Sequence, residues 1–337
     1  MPVELNRQWC LATRPEGTID SSNFSWKEVP KPIPGKGEIL VRNIYLSLDP
    51  ASWGWMQEWI SYVPALSIGD VMHGITLGVV EESNLEKYQP GTLVYGLLGW
   101  QDYAVTDGKG LMRLPEKISA PLPAYLSIFG LTGLTAYFGL LDIGKPKAGE
   151  TLVVSAAAGA VGSIAGQIGK INGCYVVGTA GTDEKCKWLT EELGFDGAIN
   201  YKTESLHKSL RKNCPNGIDI YFENVGGKLF QTVLNQINLR ARIVLCGLIS
   251  QYNVSGSGPN LANVITRRAR IEGFIVTDYF NRRKEAVADL QRWLDEGRIK
   301  YRVDIVDGLE NAATAIGKLF DGTNMGKLMV KVSNEPE

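Results

Sequence analysis

TLVVSAAAGAVGSIAGQIGK, residues 151–170, is the stretch that decides the fold class. Its opening, TLVVSA (151–156), is a short apolar run of the kind that forms a strand buried on both faces. VGSIAGQIGKI (161–171) reads as a helix. Between them, Ala157-Ala158-Gly159-Ala160-Val161-Gly162 is the dinucleotide fingerprint G-x-G-x-x-G with alanine in place of the first glycine. Gly159 lets the backbone approach a pyrophosphate, and Gly162 lets helix and strand pack closely. The free N–H groups of the helix N-terminus, with Ala160 and Val161 in the first turn, then face the phosphates. Such glycines also serve plain close packing, but a strand before them and a helix after them is the context of a nucleotide site.

Downstream, CYVVG (174–178), GAINY (197–201), GIDIYFEN (217–224) and RIVLCG (242–247) read as strands. DEKCKWLTEELG (183–194) and KLFQTVLNQI (228–237) read as helices between them. This alternation predicts a parallel sheet covered by helices on both faces. Upstream, GEILVRNIYLSL (37–48), GITLGVVEES (74–83) and GTLVYGLLGWQDYAVT (91–106) are short β-like runs broken by glycine and proline, the signature of a compact, barrel-like β domain. At the end of the chain, AATAIGKLF (312–320) is helix-like and GKLMVKV (326–332) strand-like. The fold class is α/β, a β-rich domain followed by a doubly wound parallel sheet.

The 337 residues carry 35 Lys+Arg against 36 Asp+Glu, a formal net charge of -1, so nothing electrostatic draws the chain to nucleic acid or to an anionic membrane surface. Ile118–Leu141 and Thr151–Gly169 are uncharged and long enough to span a bilayer, but Pro121, Pro123 and hydroxyl residues in the first, and the alanine and glycine of the second, favour buried elements of a folded core. Cys10, Cys174, Cys186, Cys214 and Cys246 are scattered with no C-x-x-C pair, which argues against a disulfide framework or structural zinc and for a reducing, cytoplasmic setting. The N-terminus shows no basic and apolar signal-peptide pattern.

NAD sites usually place an acid at the end of the second strand to bind the ribose 2′-hydroxyl. Here Thr179-Ala180-Gly181 stands instead, which removes repulsion toward a 2′-phosphate. Lys185 can supply a positive charge; spacing alone leaves it equally well on a solvated helix face, and Asp183 and Glu184 complicate the site. Of the two histidines, His207 in ESLHKSLRKN (204–213) fits a solvated helix face, and His73 fits a satisfied structural position better than a pocket. Neither lies near a cysteine in ligand spacing, so no metal site is expected. There is no G-x-S-x-G elbow, and GTNMGKL (322–328) has the wrong spacing for a P-loop.

The ordered motifs YLSLDP (45–50), GWQDY (99–103), GLTAY (133–137), LLDIGKPKAGETLVVSAAAGAVGSIAGQIGK (140–170), IDIYFENVGGK (218–228), CGLISQYN (246–253), DGLENA (307–312) and NMGK (324–327) together resemble the zinc-independent medium-chain dehydrogenase/reductases, specifically the prostaglandin reductase / leukotriene hydroxydehydrogenase group. The resemblance runs through nearly the whole chain. It implies a GroES-like catalytic domain (1–125), a Rossmann NADP-binding domain (126–300) and a C-terminal return to the first domain (301–337). It implies NADPH as cofactor, with Gly159 to Gly162 at the pyrophosphate and Lys185 and Tyr201 at the 2′-phosphate. Asn224, the segment Cys246, Gly247, Leu248, Ile249, Ser250, Gln251 and Tyr252, then Phe274, Ile275 and Val276, and Asn324, match further cofactor positions of the family. A homodimer is implied as well.

The implied reaction is metal-free hydride transfer to the β-carbon of an α,β-unsaturated ketone or aldehyde. Tyr252 matches the tyrosine placed near the carbonyl oxygen, where a phenol can donate to developing negative charge; a packed turn tyrosine is the plainer alternative. Family members commonly read DPYMRGRM where this chain has Asp49-Pro50-Ala51-Ser52-Trp53-Gly54-Trp55-Met56. The departure suggests a reshaped substrate pocket with Trp53, Trp55, Trp59 or Tyr62 as walls, unless these side chains pack the domain core. A quinone reductase of the same superfamily and a non-catalytic NADPH-binding protein are the alternative functions.

Overall fold

A computed structural model describes residues 4–58, 63–252 and 258–336. Trp59 and Tyr62 lie outside the described residues, as does Asn253 of the CGLISQYN motif. Among the described residues the strands are β1 (Leu5–Leu11), β2 (Phe24–Pro30), β3 (Ile39–Ser47), β4 (Ile75–Ser83), β5 (Leu93–Leu97), β6 (Tyr103–Thr106), β7 (Met112–Arg113), β8 (Thr151–Val154), β9 (Tyr175–Ala180), β10 (Gly197–Asn200), β11 (Ile218–Glu223), β12 (Ile237–Leu245), β13 (Arg270–Gly273), β14 (Val303–Asp307) and β15 (Lys327–Lys331). The chain divides into two compact units, one of Met1–Leu126 with Val303–Glu337, the other of Ser127–Arg302.

The first unit is a β structure. β1 and β2 pair antiparallel, and a seven-stranded sheet runs β14-β15-β3-β4-β5-β7 with β6 also on β3. Ile39, Val41, Val80, Val94 and Ala104 from four of these strands close one core, joined by Tyr88 and Leu98. The motifs SLDP and NMGK meet inside this unit. Lys327, only 2% exposed, sends its Nζ to the Leu48 carbonyl (2.7 Å) and to Asp49 Oδ1 (2.8 Å). The lysine of the rejected phosphate-loop look-alike is therefore a buried cation, already satisfied. Trp53 and Trp55 are buried here too, and Trp53 Nε1 donates to the Gly17 carbonyl (2.8 Å). Trp55 packs edge-on against His73, whose Nε2 lies 3.1 Å from the Pro64 carbonyl.

The second unit is the parallel sheet, in the order β10-β9-β8-β11-β12-β13. The chain steps outward from β8 through β9 to β10, then returns to the other side of β8 as β11. The order reverses between β8 and β11, and the carboxyl ends of all six strands share one edge. That switch point is where open α/β sheets bind ligands. Val153, Val177, Tyr221 and Ile243 form a cross-strand row in the core on one face. β8 is buried at all four residues, as its unbroken apolar run requires.

Some boundaries differ from the sequence expectation. The helix expected over 183–194 is α-helical only over Asp183–Lys187 and widens to a π turn over Trp188–Glu192. The helix expected over 228–237 is Gly227–Leu234. β12 begins at Ile237, because buried Ile237 pairs with Ile218 although the exposed residues after it mask the strand pattern. Ile118–Leu141 folds as a 3-10 turn (Leu122–Leu126), a helix (Leu131–Phe138) and the start of a π turn. Among the described residues no helix is long and apolar enough to cross a membrane.

Candidate active site

Beyond β8 the chain turns through Ala156 at φ 46° and enters the helix Ala160–Ile171 at Gly159. The left-handed residue is thus Ala156, one position before the alanine that replaces the fingerprint's first glycine. Ala157 cannot make the turn, because its N–H still donates to the Thr179 carbonyl (2.9 Å) in the strand ladder. Holding alanine in this conformation costs about 1–2 kcal/mol. A Cβ on Gly162 would stand 2.5 Å from the Ala156 carbonyl oxygen and 2.9 Å from Ala157 Cα, so only glycine fits between helix and loop. No side chain caps this helix, whose first-turn N–H groups lack carbonyl partners by geometry.

At the end of β9, Gly181 lies under Tyr201: its Cβ position is 3.1 Å from the tyrosine hydroxyl and 3.3 Å from Lys202 Cε. Thr182 Oγ1 accepts from the Lys185 N–H (3.2 Å) and starts the helix Asp183–Lys187, which puts Lys185 on the first turn beyond Gly181. Asp183 is occupied, since Asn200 Nδ2 donates to its Oδ1 (2.7 Å). Asn200 and Lys202 were not among the sequence candidates. The only signal for them was their place beside Tyr201 at the end of β10.

At the ends of β11 and β12 the candidate segments are laced together. Asn224 donates from Nδ2 to the Ser155 carbonyl (2.8 Å). The N–H groups of Cys246 and Gly247 donate to the Glu223 carbonyl at 2.9 and 3.1 Å, and those of Ile249 and Ser250 donate to the carbonyls of Asn224 and Val225. Gln251 Oε1 accepts from the Gly227 N–H (3.2 Å). Tyr252 follows directly, half-buried, with its hydroxyl 3.3 Å from the Cβ position of Gly247. Desolvation pushes the Cys246 thiol up to about 12, which favours its protonated form.

Gly159, Ala160, Val161, Gly162, Lys185, Tyr201, Asn224 and Cys246–Tyr252 therefore gather at the carboxyl edge of one parallel sheet. Phe274, Ile275 and Val276 follow β13 at the same edge. The Phe274 ring packs over Gly139, 2.6 Å from its Cβ position, and against Tyr279. Asn324 belongs to the first unit, where its Nδ2 donates to the Gly326 carbonyl (3.1 Å). Among the described residues no three His, Cys, Asp or Glu side chains are grouped to hold a metal ion. His207 is exposed on the helix Leu206–Asn213.

A parallel sheet with a glycine loop at its switch point, in a chain whose two ends build a β-rich unit, defines a dinucleotide-binding oxidoreductase. Residues 7–114 match the family described as the N-terminal domain of oxidoreductase, and residues 160–292 the family described as zinc-binding dehydrogenase. The chain is 46% identical over 338 residues to the NADPH-dependent curcumin reductase of Escherichia coli (strain K12), covering 98% of each protein. It is 44% identical over 332 residues to prostaglandin reductase 1 of Rattus norvegicus, covering 96% of this chain and 98% of the other. The crystal structure of CurA from Vibrio vulnificus in complex with NADPH superposes with a TM-score of 0.92 at 46% identity, over 98% of this chain and 100% of that one. The chain belongs to the zinc-independent medium-chain dehydrogenase/reductases, in the prostaglandin reductase group.

Proposed function

We propose that this protein reduces the carbon–carbon double bond of α,β-unsaturated ketones and aldehydes with NADPH. The observation that carries the reading is similarity over almost the full length to an NADPH-dependent curcumin reductase and a prostaglandin reductase. The crevice fits a dinucleotide: an uncapped helix N-terminus opens at Gly159, and Gly162 keeps the loop against the helix where a Cβ would push it away.

Gly159–Gly162 hold the pyrophosphate. Lys185 and Tyr201 hold the 2′-phosphate, at a strand end with no acid, while Asn200 keeps the Asp183 carboxylate engaged. The turn from Asn224 and the segments Cys246–Tyr252 and Phe274–Val276 hold the nicotinamide half; Asn324 is assigned to the cofactor on the family resemblance alone. NADPH supplies the hydride that the β-carbon accepts. Tyr252 places its hydroxyl as a donor to the carbonyl oxygen, where negative charge grows as the double bond is reduced. That hydrogen bond strengthens in the transition state and so lowers the barrier rather than only tightening binding. The carbonyl itself makes the β-carbon electrophilic, so the chemistry asks for no metal. All five cysteines are free, consistent with a cytoplasmic enzyme, and we assign it a homodimer on its family membership.

The test is oxidation of NADPH and of NADH by the purified protein against 2-alkenals, enones, dienones and quinones, with and without a chelator. Chelator-resistant, NADPH-selective turnover of enones and alkenals is the expected result. Turnover of quinones alone, or NADPH binding with no turnover, overturns it. Sedimentation or light scattering reads the dimer.

A further inference from the structure

Glu223 ends β11 with no solvent exposure. Phe222 pairs with Val154 and Val154 with Gly178, so the next residues, Glu223, Ser155 and Thr179, share one face at the carboxyl edge of the sheet. Glu223 Oε1 accepts from Ser155 Oγ (2.9 Å), from the Gly226 N–H (2.9 Å) and from the Val225 N–H. Its main-chain oxygen accepts from Cys246 and Gly247. Ser155 Oγ in turn accepts the Asn224 N–H (2.7 Å). One buried side chain therefore joins the exit of β8, where the phosphate loop starts, to the turn Asn224–Gly227, while its backbone holds the exit of β12.

The turn needs such an anchor. Gly226 and Gly227 sit at φ 83° and 59°, and glycine by itself specifies no single conformation. Ile249 and Ser250 hang on the carbonyls of Asn224 and Val225, and Tyr252 follows them. We infer that Glu223 is a positioning residue, which through the Val225–Gly226 backbone and Ser155 fixes the nicotinamide half of the crevice and the Tyr252 segment. The inference rests on the cofactor placement proposed above.

The experiment measures Kd for NADPH and NADH, kcat, KM and Tm in Glu223→Ala, Glu223→Gln and Lys185→Ala. Alanine leaves the Val225 and Gly226 N–H groups without their acceptor and the Ser155 hydroxyl with only the Phe222 carbonyl at 3.3 Å, so Kd should rise about tenfold for both cofactors alike, with a fall in kcat. Glutamine keeps a carbonyl acceptor at the same place and should recover most of both losses. A merely structural role would lower Tm and leave the folded protein's Kd and kcat unchanged; that result overturns the inference, as does a glutamine variant no better than alanine. Should Glu223→Ala not fold, Ser155→Ala replaces it: a shared rise in both Kd values supports the inference, and unchanged values overturn it. Lys185→Ala separates the two levels. If it leaves NADPH and NADH affinities unaltered, the 2′-phosphate placement proposed above fails; if it acts on NADPH selectively while the Glu223 variants do nothing, only the positioning role fails.

Discussion

Adding one methyl group at Gly162 tests the nucleotide loop most directly. The Cβ of Gly162→Ala would meet the Ala156 carbonyl oxygen at 2.5 Å, Ala157 Cα at 2.9 Å and the Ala156 carbonyl carbon at 3.0 Å. All three are backbone atoms, so no side chain can swing aside. Ala156 already holds a left-handed conformation at φ 46°, and its main chain has little room to yield. Overpacking of this kind costs about 1–3 kcal/mol, with the backbone clash placing it near the upper figure. Alanine in a helix interior returns about 1 kcal/mol over glycine, leaving a net loss of roughly 2 kcal/mol. At roughly 2–4 °C per kcal/mol for a unit of this size, the melting temperature should fall by about 4–8 °C. Displacement of the loop should also weaken NADPH and NADH together, because both carry the pyrophosphate. Gly317→Ala is the control: its Cβ meets nothing within 4 Å, and the melting temperature should hold or rise slightly. Thermal unfolding and titration of the protein's intrinsic fluorescence with each cofactor read both effects. A Gly162→Ala protein as stable as its parent, with unchanged affinity for both cofactors, would refute the close-packing account and with it the loop's role.

Lys185→Ala should weaken NADPH by roughly 10- to 150-fold, the equivalent of a lost charge-assisted hydrogen bond, while NADH is little changed; equal effects on the two would remove Lys185 from the 2′-phosphate site. Lys327→Met should destabilise the first unit by about 1–3 kcal/mol, because the buried Leu48 carbonyl and the partly buried Asp49, which keeps the Ser47 hydroxyl, lose the ammonium donor, and adding Asp49→Asn should recover part of the loss in chemical denaturation. Burial raises the Glu223 carboxyl above its ordinary range, against the donors that pull it down. A carboxyl with a raised folded-state pKa favours the fold when protonated, so its contribution is complete below the unfolded value and is lost as pH climbs through the folded one. Glu223→Gln should therefore flatten that part of the stability-against-pH curve above the ordinary glutamate range, and an unchanged slope would show that the group does not titrate there.

The glycine turn between β8 and the helix after it is legible in the sequence because its determinants are local. Gly159 and Gly162 act on backbone within a few residues, and a strand before and a helix after supply the context. Even so, the position of the left-handed turn was not legible. It fell on Ala156 because the Ala157 N–H is claimed by Thr179 on β9, a partner that only strand pairing reveals. Trp53 and Trp55 stand where the family motif has arginines, and the structure buries both, with Trp53 Nε1 donating to the Gly17 carbonyl, a partner that substitution alone does not reveal.

The remaining surprises share one physical cause: a charged side chain is read from its neighbours in sequence, whereas its energy is set by its neighbours in space. Asp183, next to a candidate 2′-phosphate position in sequence, accepts a hydrogen bond from Asn200 on another strand. Lys327 resembled part of a phosphate loop, but its amine is spent on Leu48 and Asp49 from the opposite end of the chain. Glu223 stands beside Asn224 in the same motif, and its burial makes every unmet partner around it costly. Parallel topology turns scattered strand ends into one site, and the motifs suffice to find those ends. A buried polar lattice ties those ends together, and no spacing rule along the chain encodes which partners it will join.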